Sequence, residues 1–260
     1  MTGCALELSE VEVHFGGVRA VDGVSLDVEG TQIVGLLGQN GAGKTTLLNC
    51  ISRSVKQSGG QILVFGQDIG RMSPHQVTRL GVARTFQSVA LFGALNALQV
   101  GLLGRDFLSR GVSGEYALRL PRARRAEREA REQVREALRF VGFDAAVDRP
   151  LGTLSYGQTK LADLARAVVS RPRVLLLDEP AAGLTHGERN LMAEAVERVQ
   201  AELSAPVVVI EHDIDLMRRL CHRAVIMDSG RVIGDGALDE LLALPRVRES
   251  LLGEPAADVT

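Results

Sequence analysis

A glycine-rich segment, residues 38–46, constrains the fold of this 260-residue chain more than any other part of its sequence. It directly follows the continuously apolar run Ile33–Leu37 and fits the phosphate-loop pattern G-x-x-x-x-G-K-[ST]. In such a loop successive backbone N–H groups turn inward around phosphate oxygens, and the N-terminus of the following helix adds a favourable dipole. The segment therefore predicts a strand, a loop and a helix in an α/β fold, with a nucleoside triphosphate as the ligand.

The residues of this phosphate loop are expected to bind ATP. Lys44 should reach the β and γ phosphates, and the Thr45 hydroxyl should be a ligand of Mg²⁺. A glycine-rich turn without a ligand is the alternative, which the complete pattern and its flanking segments disfavour. The predicted ATP-binding residues of the loop are Gly38, Gln39, Asn40, Gly41, Ala42, Gly43, Lys44, Thr45 and Thr46.

Two acidic residues end a second apolar run. Residues 174–177 are Val, Leu, Leu and Leu, and Asp178 and Glu179 follow them. Asp178 is expected to hold Mg²⁺, usually through water, and Glu179 is expected to polarise the water that attacks the γ-phosphate. Acids at the end of a strand can instead cap the next helix, an alternative that the phosphate loop disfavours.

Composition argues against several other classes of protein. With 45% hydrophobic residues the chain can form a large core, and a net charge of −2 with 3% aromatic residues and no tryptophan disfavours nucleic-acid binding. The longest apolar runs are far shorter than the ~20 residues that cross a bilayer, and no secretory signal is recognised, so neither a transmembrane helix nor secretion is expected. Cys4, Cys50 and Cys221 are widely spaced and are interpreted as reduced thiols, so no structural metal is expected.

The order of the patterns along the chain indicates its organisation. Nearly alternate apolar residues in 6–15 and 18–28 predict an antiparallel pair, and the strand and helix patterns that alternate after residue 157 predict a largely parallel sheet covered by helices. Residues 92–147 lack a strong strand pattern and predict a helical lobe. The arginines within 119–139 suit contact with lipid headgroups or a partner, but the interleaved glutamates favour ion pairs on a solvated helix.

Residues 154–158, Leu-Ser-Tyr-Gly-Gln, narrow the class of nucleotide-binding protein. They resemble the signature Leu-Ser-Gly-Gly-Gln of ABC ATPases and precede Asp178 at the spacing of that family. The resemblance to an ABC ATPase extends over nearly the whole chain. It implies that one subunit binds, in trans, the γ-phosphate of ATP held by the other, through Ser155, Tyr156, Gly157 and Gln158.

Three more residues are similar to family elements by position and type. Gln87 resembles the glutamine that contacts Mg²⁺ and couples the core to the helical lobe, and His212 resembles the histidine that senses the γ-phosphate. The resemblance therefore implies a catalytic set of Glu179, His212 and Gln87. Phe15 stands where the family stacks an aromatic ring on adenine, although a phenylalanine that ends a strand is more often part of the core.

The resemblance also implies an architecture and partners. It implies one ABC ATPase domain over 1–260: a phosphate-loop NTPase core with an N-terminal antiparallel β subdomain in 1–91 and 171–260, and a helical lobe in 92–170 that ends in the signature helix. The implied partners are a second ATPase subunit, identical or homologous, in a head-to-tail dimer, integral membrane permeases and, indirectly, an extracytoplasmic solute-binding protein. The expected location is peripheral, at the cytoplasmic face of the cell membrane.

Variant segments narrow the resemblance to one branch of the family. Residues 83–87, 154–157, 179–184, 210–213 and 251–254 together resemble the ATPases of branched-chain amino-acid importers, the LivG type. Urea or amide importers and lipid or lipopolysaccharide exporters use related ATPases and remain alternatives. A non-transport ABC protein of translation or DNA repair is disfavoured because no second cassette, coiled coil or zinc module is visible. A nucleotide-binding regulator that does not hydrolyse ATP is disfavoured, because Glu179 and His212, the residues expected to act in hydrolysis, are both present.

The chain departs from the general family pattern at three positions. Gln39 replaces the usual proline or serine, and Tyr156 replaces the first signature glycine and adds bulk near the phosphate bound in trans. Thr185 stands where many relatives have the aspartate of the segment called the D-loop. The last departure concerns the coupling between the two shared sites.

Overall fold

The computed structural model describes residues 4–86, 93–106 and 121–252. Its first sheet begins with a long hairpin, β1 (Cys4–Phe15) and β2 (Val18–Glu29), which pair antiparallel as their alternating sequence predicts. β4 (Gly59–Val64) and β5 (Gln67–Asp68) complete an antiparallel sheet with the order β2-β1-β4-β5. This sheet packs against the phosphate-loop helix through a shared apolar cluster.

The second sheet has six strands and carries the nucleotide motifs. Its strands are β3 (Ile33–Leu37), β6 (Val82–Arg84), β7 (Val174–Asp178), β8 (Val207–Ile210), β9 (Arg223–Asp228) and β10 (Arg231–Gly236), in the order β10-β9-β3-β8-β7-β6. All neighbours are parallel except β9 and β10. β3 and β7 are buried along their whole length, since both faces of the sheet are covered, and this explains their continuous apolar runs.

Helices cover both faces of the six-stranded sheet. They are α1 (Lys44–Ile51), α2 (Pro74–Arg79), α3 (Ala97–Asp106), α4 (Pro121–Phe140), α5 (Tyr156–Val168), α6 (His186–Leu203), α7 (Ile214–Leu220), α8 (Leu238–Leu242) and α9 (Pro245–Leu252), with a 3₁₀ turn at Leu151–Thr153. Leu175 and Leu177 join the apolar cluster on the side of α3 to α7, whereas Leu176 faces the cluster that contains α1. Successive strand residues point to opposite faces, so one strand serves both clusters. The predicted α/β fold with an antiparallel sheet is confirmed.

Helix α4 contains most of the arginine-rich segment. Val134 and Leu138 are buried on one side, while exposed pairs four residues apart, such as Arg131 with Glu127 and Arg125 with Glu129, lie on the other. Exposed pairs at this spacing contribute about 0.3–0.5 kcal/mol each. These contacts agree with ion pairs on a solvated helix, and the first two residues of the segment lie outside the described part of the chain.

Several elements were not predicted from the sequence. These are β4 to β6, α2 and the two C-terminal helices α8 and α9. A signal for α2 was present, because Ser73 and Gln76 form a reciprocal capping box with Pro74 at the first helical position. Among the helices that the structure describes, none combines the length and the apolar character needed to cross a membrane.

Candidate nucleotide site

Three parallel strands deliver the chemically important segments to one edge of the sheet. Ile210 at the end of β8 lies in register with Leu36 of β3 on one side and with Asp178 of β7 on the other. The segments that follow these strands therefore leave the sheet next to one another. They are the phosphate loop, the pair Asp178 and Glu179, and the segment with His212.

The phosphate loop closes around its own lysine. Residues 38–43 connect β3 to α1, and Lys44, Thr45 and Thr46 form the first turn of that helix. Lys44 is 5% exposed, and its Nζ donates to the carbonyl oxygens of Gly38 at 2.7 Å and Gln39 at 2.9 Å. Burial lowers the pKa of Lys44, although Glu179 and Asp178 act in the opposite direction. The lysine charge is thus held inside the loop, where a bound phosphate would meet it.

Glycine is required at two positions of this loop. Gly43 has φ +99°, and a Cβ there would lie 2.3 Å from the carbonyl oxygen of Ala20. At Gly38, with φ +151°, a Cβ would lie 2.2 Å from the carbonyl oxygen of Met227. Because Gly43 precedes α1 and provides no side-chain cap, the first N–H groups of the helix face the loop without a side-chain acceptor. Such donors are suited to an anion.

Two of the three expected magnesium ligands, Thr45 and Asp178, meet at this edge. The Thr45 hydroxyl lies 3.5 Å from Oδ1 of Asp178, whose side chain is fully buried. Hydroxyl and carboxylate oxygens are the donors that Mg²⁺ prefers, and one or two protein ligands suffice where phosphates and water complete the shell. The donor set fits the ion. Gln87, the third expected ligand, lies outside the described residues.

Glu179 and His212, two of the residues expected to be catalytic, are in side-chain contact. Oε1 of Glu179 lies 3.2 Å from Nε2 of His212, and both side chains are partly exposed. Glu179 has a positive φ of 49°, and its carbonyl oxygen accepts a hydrogen bond from Lys160 at 2.9 Å. A non-glycine residue in this conformation must be held by its surroundings, as is common at functional sites.

The next helix does not use either acid as its cap. Thr185 is the N-cap of α6, and its hydroxyl accepts from the N–H of Glu188 while the Glu188 carboxylate accepts from the Thr185 N–H. The alternative that Asp178 and Glu179 serve as helix caps is therefore wrong. The departure at Thr185 has a structural role of its own, since a threonine can cap this helix as an aspartate would.

Phe15 lies on the surface at the end of β1. Its side chain is 52% exposed, and its strand partner Val18 is 65% exposed. The interpretation of Phe15 as a core residue is thus wrong. An exposed aromatic ring costs free energy in water, and a stacking surface for a flat ligand is the role that the family resemblance implies.

We expect Phe15→Ala to weaken ATP binding by about 1–3 kcal/mol, the range measured when base–aromatic stacking is removed. Competition against a fluorescent ATP analogue measures the change, and inorganic tripolyphosphate, which has no base, should bind both proteins alike. Leu191→Ala is the matched control because Leu191 is also 52% exposed and apolar but lies on α6. An equal loss for ATP and tripolyphosphate would contradict stacking by Phe15.

The signature segment begins helix α5. Ser155 is its N-cap and accepts from the N–H of Gln158 at 3.2 Å, and the side-chain amide of Gln158 donates to Asp144 at 2.6 Å. The Gly157 N–H donates to Oε1 of Glu188 at 3.3 Å. The pKa of Glu188 lies below its usual value because its carboxylate accepts hydrogen bonds. The largest contribution comes from the Thr185 backbone, and the Ser155 side chain contributes less.

The side chain of Tyr156, which replaces the first signature glycine, packs against Gly183 in the D-loop segment. A Cβ on Gly183 would lie 3.1 Å from its ring, so the ring lies over the backbone of that glycine. The side chain remains 45% exposed. The tyrosine ring therefore packs on Gly183 of the same chain. This contact joins the start of α5 to the segment before α6.

Several buried or largely buried polar residues around the site were not predicted from the sequence. Glu211 is 3% exposed and accepts from the N–H groups of Ala181 and His212, and burial raises its pKa. The only sequence signal for such residues is a charge in an otherwise apolar segment. The others are Arg84, Lys160, Asp163 and Arg166.

The fold and the phosphate loop together define an ATP-binding cassette. The solved structure of the ADP conformation of MJ1267, an ATP-binding cassette of an ABC transporter, superposes with a TM-score of 0.84 at 28% identity and covers 97% of this chain and 100% of that one. Residues 21–182 match the family model described as ABC transporter. The chain belongs to the ABC transporter family.

Two relatives match the chain over nearly its full length. It is 37% identical to the high-affinity branched-chain amino acid transport ATP-binding protein BraF of Pseudomonas aeruginosa, across 96% of this chain and 98% of that protein. It is 32% identical to LivG of Escherichia coli K12, of the same description, with the same coverage.

Proposed function

We propose that this chain is the ATP-binding and ATP-hydrolysing subunit of a multi-subunit ABC importer for branched-chain amino acids. The observation that carries the hydrolytic part is the contact of 3.2 Å between Glu179 and His212 beside the phosphate loop. A carboxylate and an imidazole in this arrangement can orient one water molecule for in-line attack, a task that mere nucleotide binding does not require.

Each residue of the site has a place in this reaction. The water held by Glu179 attacks the γ-phosphorus and gives a proton to the Glu179 carboxylate, the bond from that phosphorus to the β–γ bridging oxygen breaks with its electrons going to ADP, and ADP, phosphate and the released proton result. His212 orients the carboxylate and the γ-phosphate, and Lys44 stabilises the negative charge on the β and γ oxygens. Thr45, Asp178 and Gln87 would hold Mg²⁺, which when bound offsets phosphate charge.

The position of the signature segment supports a site shared between two chains. Ser155 and Gly157 have their hydrogen bonds within α5 and with Glu188, and in the described residues none leads to the phosphate loop of the same chain. Their helix terminus is suited to an anion. A second ATPase subunit, identical or homologous, would supply that anion as the γ-phosphate of its own ATP in a head-to-tail dimer.

The named relatives support the proposed substrate and membrane partners. BraF and LivG are described as branched-chain amino acid transport ATP-binding proteins, and each matches 96% of this chain. We infer integral membrane permeases, a peripheral position at the cytoplasmic face of the membrane and an extracytoplasmic binding protein that delivers the solute. Residues 92–170 would form the lobe that moves with the permeases, and Gln87 would link it to the core in 1–91 and 171–260.

The test is a reconstituted complex of this chain with its permeases and binding protein. Leucine, isoleucine or valine should raise its rate of ATP hydrolysis, while urea, short amides and lipids should not. The same complex with Lys44→Ala controls for contaminating ATPase. Stimulation by urea or an amide alone would transfer the proposal to that importer class, and loss of stimulation by every solute would remove the importer assignment.

A further inference from the structure

A largely buried polar network joins Asp178 of the proposed magnesium site to the signature helix, and apart from Asp178 its residues take no part in the reaction described above. We call it the Arg84 network. Arg84 is the last residue of β6 and lies in register with Leu176 of β7, so its side chain reaches the same sheet edge as the phosphate loop. The network consists of Asn49, Arg84, Asp163, Arg166 and Asp178.

The guanidinium of Arg84 occupies one oxygen of Asp178. Its Nη2 donates to Oδ2 at 2.6 Å, and its Nη1 donates to Oδ1 of Asn49 at 2.6 Å and to Ser52 at 3.2 Å. The arginine side chain is 18% exposed and Asp178 is fully buried. With Oδ2 bound in this way, Oδ1 is the oxygen of Asp178 that faces Thr45.

The backbone of Arg84 is fastened to the signature helix. Its carbonyl oxygen accepts from Nη2 of Arg166 at 2.6 Å, and Nε of Arg166 pairs with Oδ1 of Asp163 at 2.7 Å. The other oxygen of Asp163 accepts from the Phe86 N–H at 2.7 Å, and the Arg166 guanidinium stacks on the Phe86 ring. Asp163 and Arg166 are 1% and 6% exposed. Two side chains of the signature helix therefore hold the chain at Arg84 and Phe86, just before Gln87.

We propose that Arg84 is a positioning residue: it orients Asp178 so that one carboxylate oxygen faces the metal ligand Thr45, and it ties this orientation to the signature helix. A fully buried carboxylate needs a paired cation, and a two-pronged arginine fixes its direction as well as its charge. Hydrogen-bonded partners of this kind orient metal ligands in other proteins. The inference rests on the proposed function, because it assigns Asp178 to Mg²⁺.

The experiment compares nucleotide binding with and without the metal, on the full chain. A fluorescent ATP analogue is titrated in EDTA and at a series of Mg²⁺ concentrations, and the gain in affinity caused by Mg²⁺ is the readout. For Arg84→Gln we expect wild-type affinity in EDTA, because the phosphate loop is intact, and a Mg²⁺ concentration for half-maximal gain raised about 10- to 100-fold. Arg84→Lys should recover part of the gain, since an ammonium can pair with Asp178 but lacks the planar fork whose two nitrogens bind Asp178 and Asn49 separately.

Arg53→Gln is the matched control. Arg53 is likewise an arginine that is mostly shielded from solvent, 5% exposed, but its guanidinium binds Met72, Gln57 and Gly70 instead of a carboxylate. This variant and Arg84→Gln should both lower the thermal unfolding temperature, but Arg53→Gln should not change the gain from Mg²⁺. Asn49→Ala removes one anchor of the guanidinium and should raise the half-maximal Mg²⁺ concentration less than Arg84→Gln. It serves as the test if that variant does not fold.

The outcomes separate this inference from the proposed function. A folded Arg84→Gln or Asn49→Ala variant with the wild-type gain from Mg²⁺ would overturn the positioning role of Arg84 alone. A wild-type chain that gains no nucleotide affinity from Mg²⁺ would overturn the metal assignment in the proposed function, and this inference with it. A gain lost equally in Arg53→Gln would show general destabilisation and would also contradict the proposal.

Discussion

Glu179→Gln is expected to lower the rate of ATP hydrolysis about 10²- to 10⁴-fold, the contribution that a positioned general base typically makes. The amide retains the size of the carboxylate and can keep the contact of 3.2 Å to His212, but it cannot accept a proton from water. Nucleotide binding should remain at the wild-type level, because Lys44 and the phosphate loop are unchanged. Phosphate release and fluorescent nucleotide binding measure the two quantities.

The same variant tests the shared site. If the signature segment of one chain binds the ATP of the other, a chain that binds ATP but cannot hydrolyse it should accumulate as a dimer. Size-exclusion chromatography at high protein concentration, with and without ATP, detects this change. Glu194→Gln, an exposed residue on α6, is the matched control and should behave as wild type. An ATP-loaded Glu179→Gln chain that elutes only as a monomer would be incompatible with the shared-site mechanism.

Lys44→Ala should remove most of the affinity for nucleotide. The ammonium is expected to bind both the β and the γ phosphate, and each hydrogen bond to a charged group contributes about 1.5–3 kcal/mol. Two such contacts correspond to a loss of about 10²- to 10⁴-fold in affinity. Isothermal calorimetry or fluorescence titration with ATP measures it.

Lys56 provides the matched control for the Lys44→Ala variant. Lys56 is exposed and lies after α1, and Lys56→Ala should leave the affinity unchanged. Thermal unfolding should show that Lys44→Ala remains folded, since the carbonyls of Gly38 and Gln39 can bind water in place of Nζ. A folded Lys44→Ala chain with unchanged ATP affinity would contradict the assignment of the phosphate loop.

Local patterns were reliable guides where burial dictates the sequence. The strands at 33–37 and 174–178 were predicted with the bounds that the structure has, because a strand covered on both faces is a nearly continuous apolar run, which only Asp178 at the end of the second strand interrupts. The short strands β5 and β6 were missed, since two or three residues provide no period. Helix α2 was missed because its capping box was not recognised at Ser73.

The environment of individual side chains was harder to predict. Phe15 could be core or surface until the end of β1 was seen to be exposed. Whether Glu179 capped a helix depended on Thr185, six positions further along the chain. The exposure of Phe15 and the choice of helix cap each depend on neighbouring residues. When several residues could fill the same role, the sequence alone does not identify the one that fills it.

The amino-acid sequence alone predicted the α/β fold, the phosphate loop, the acids Asp178 and Glu179 and the resemblance to ABC ATPases. These features depend on residue types at short spacing. Only the tertiary structure decided what surrounds them. Arg84 and Asp178 are 94 positions apart, and they pair because β6 lies beside β7 in the sheet. Strand order is set by packing of the whole chain, so a largely buried ion pair between two strands leaves no local pattern in the sequence.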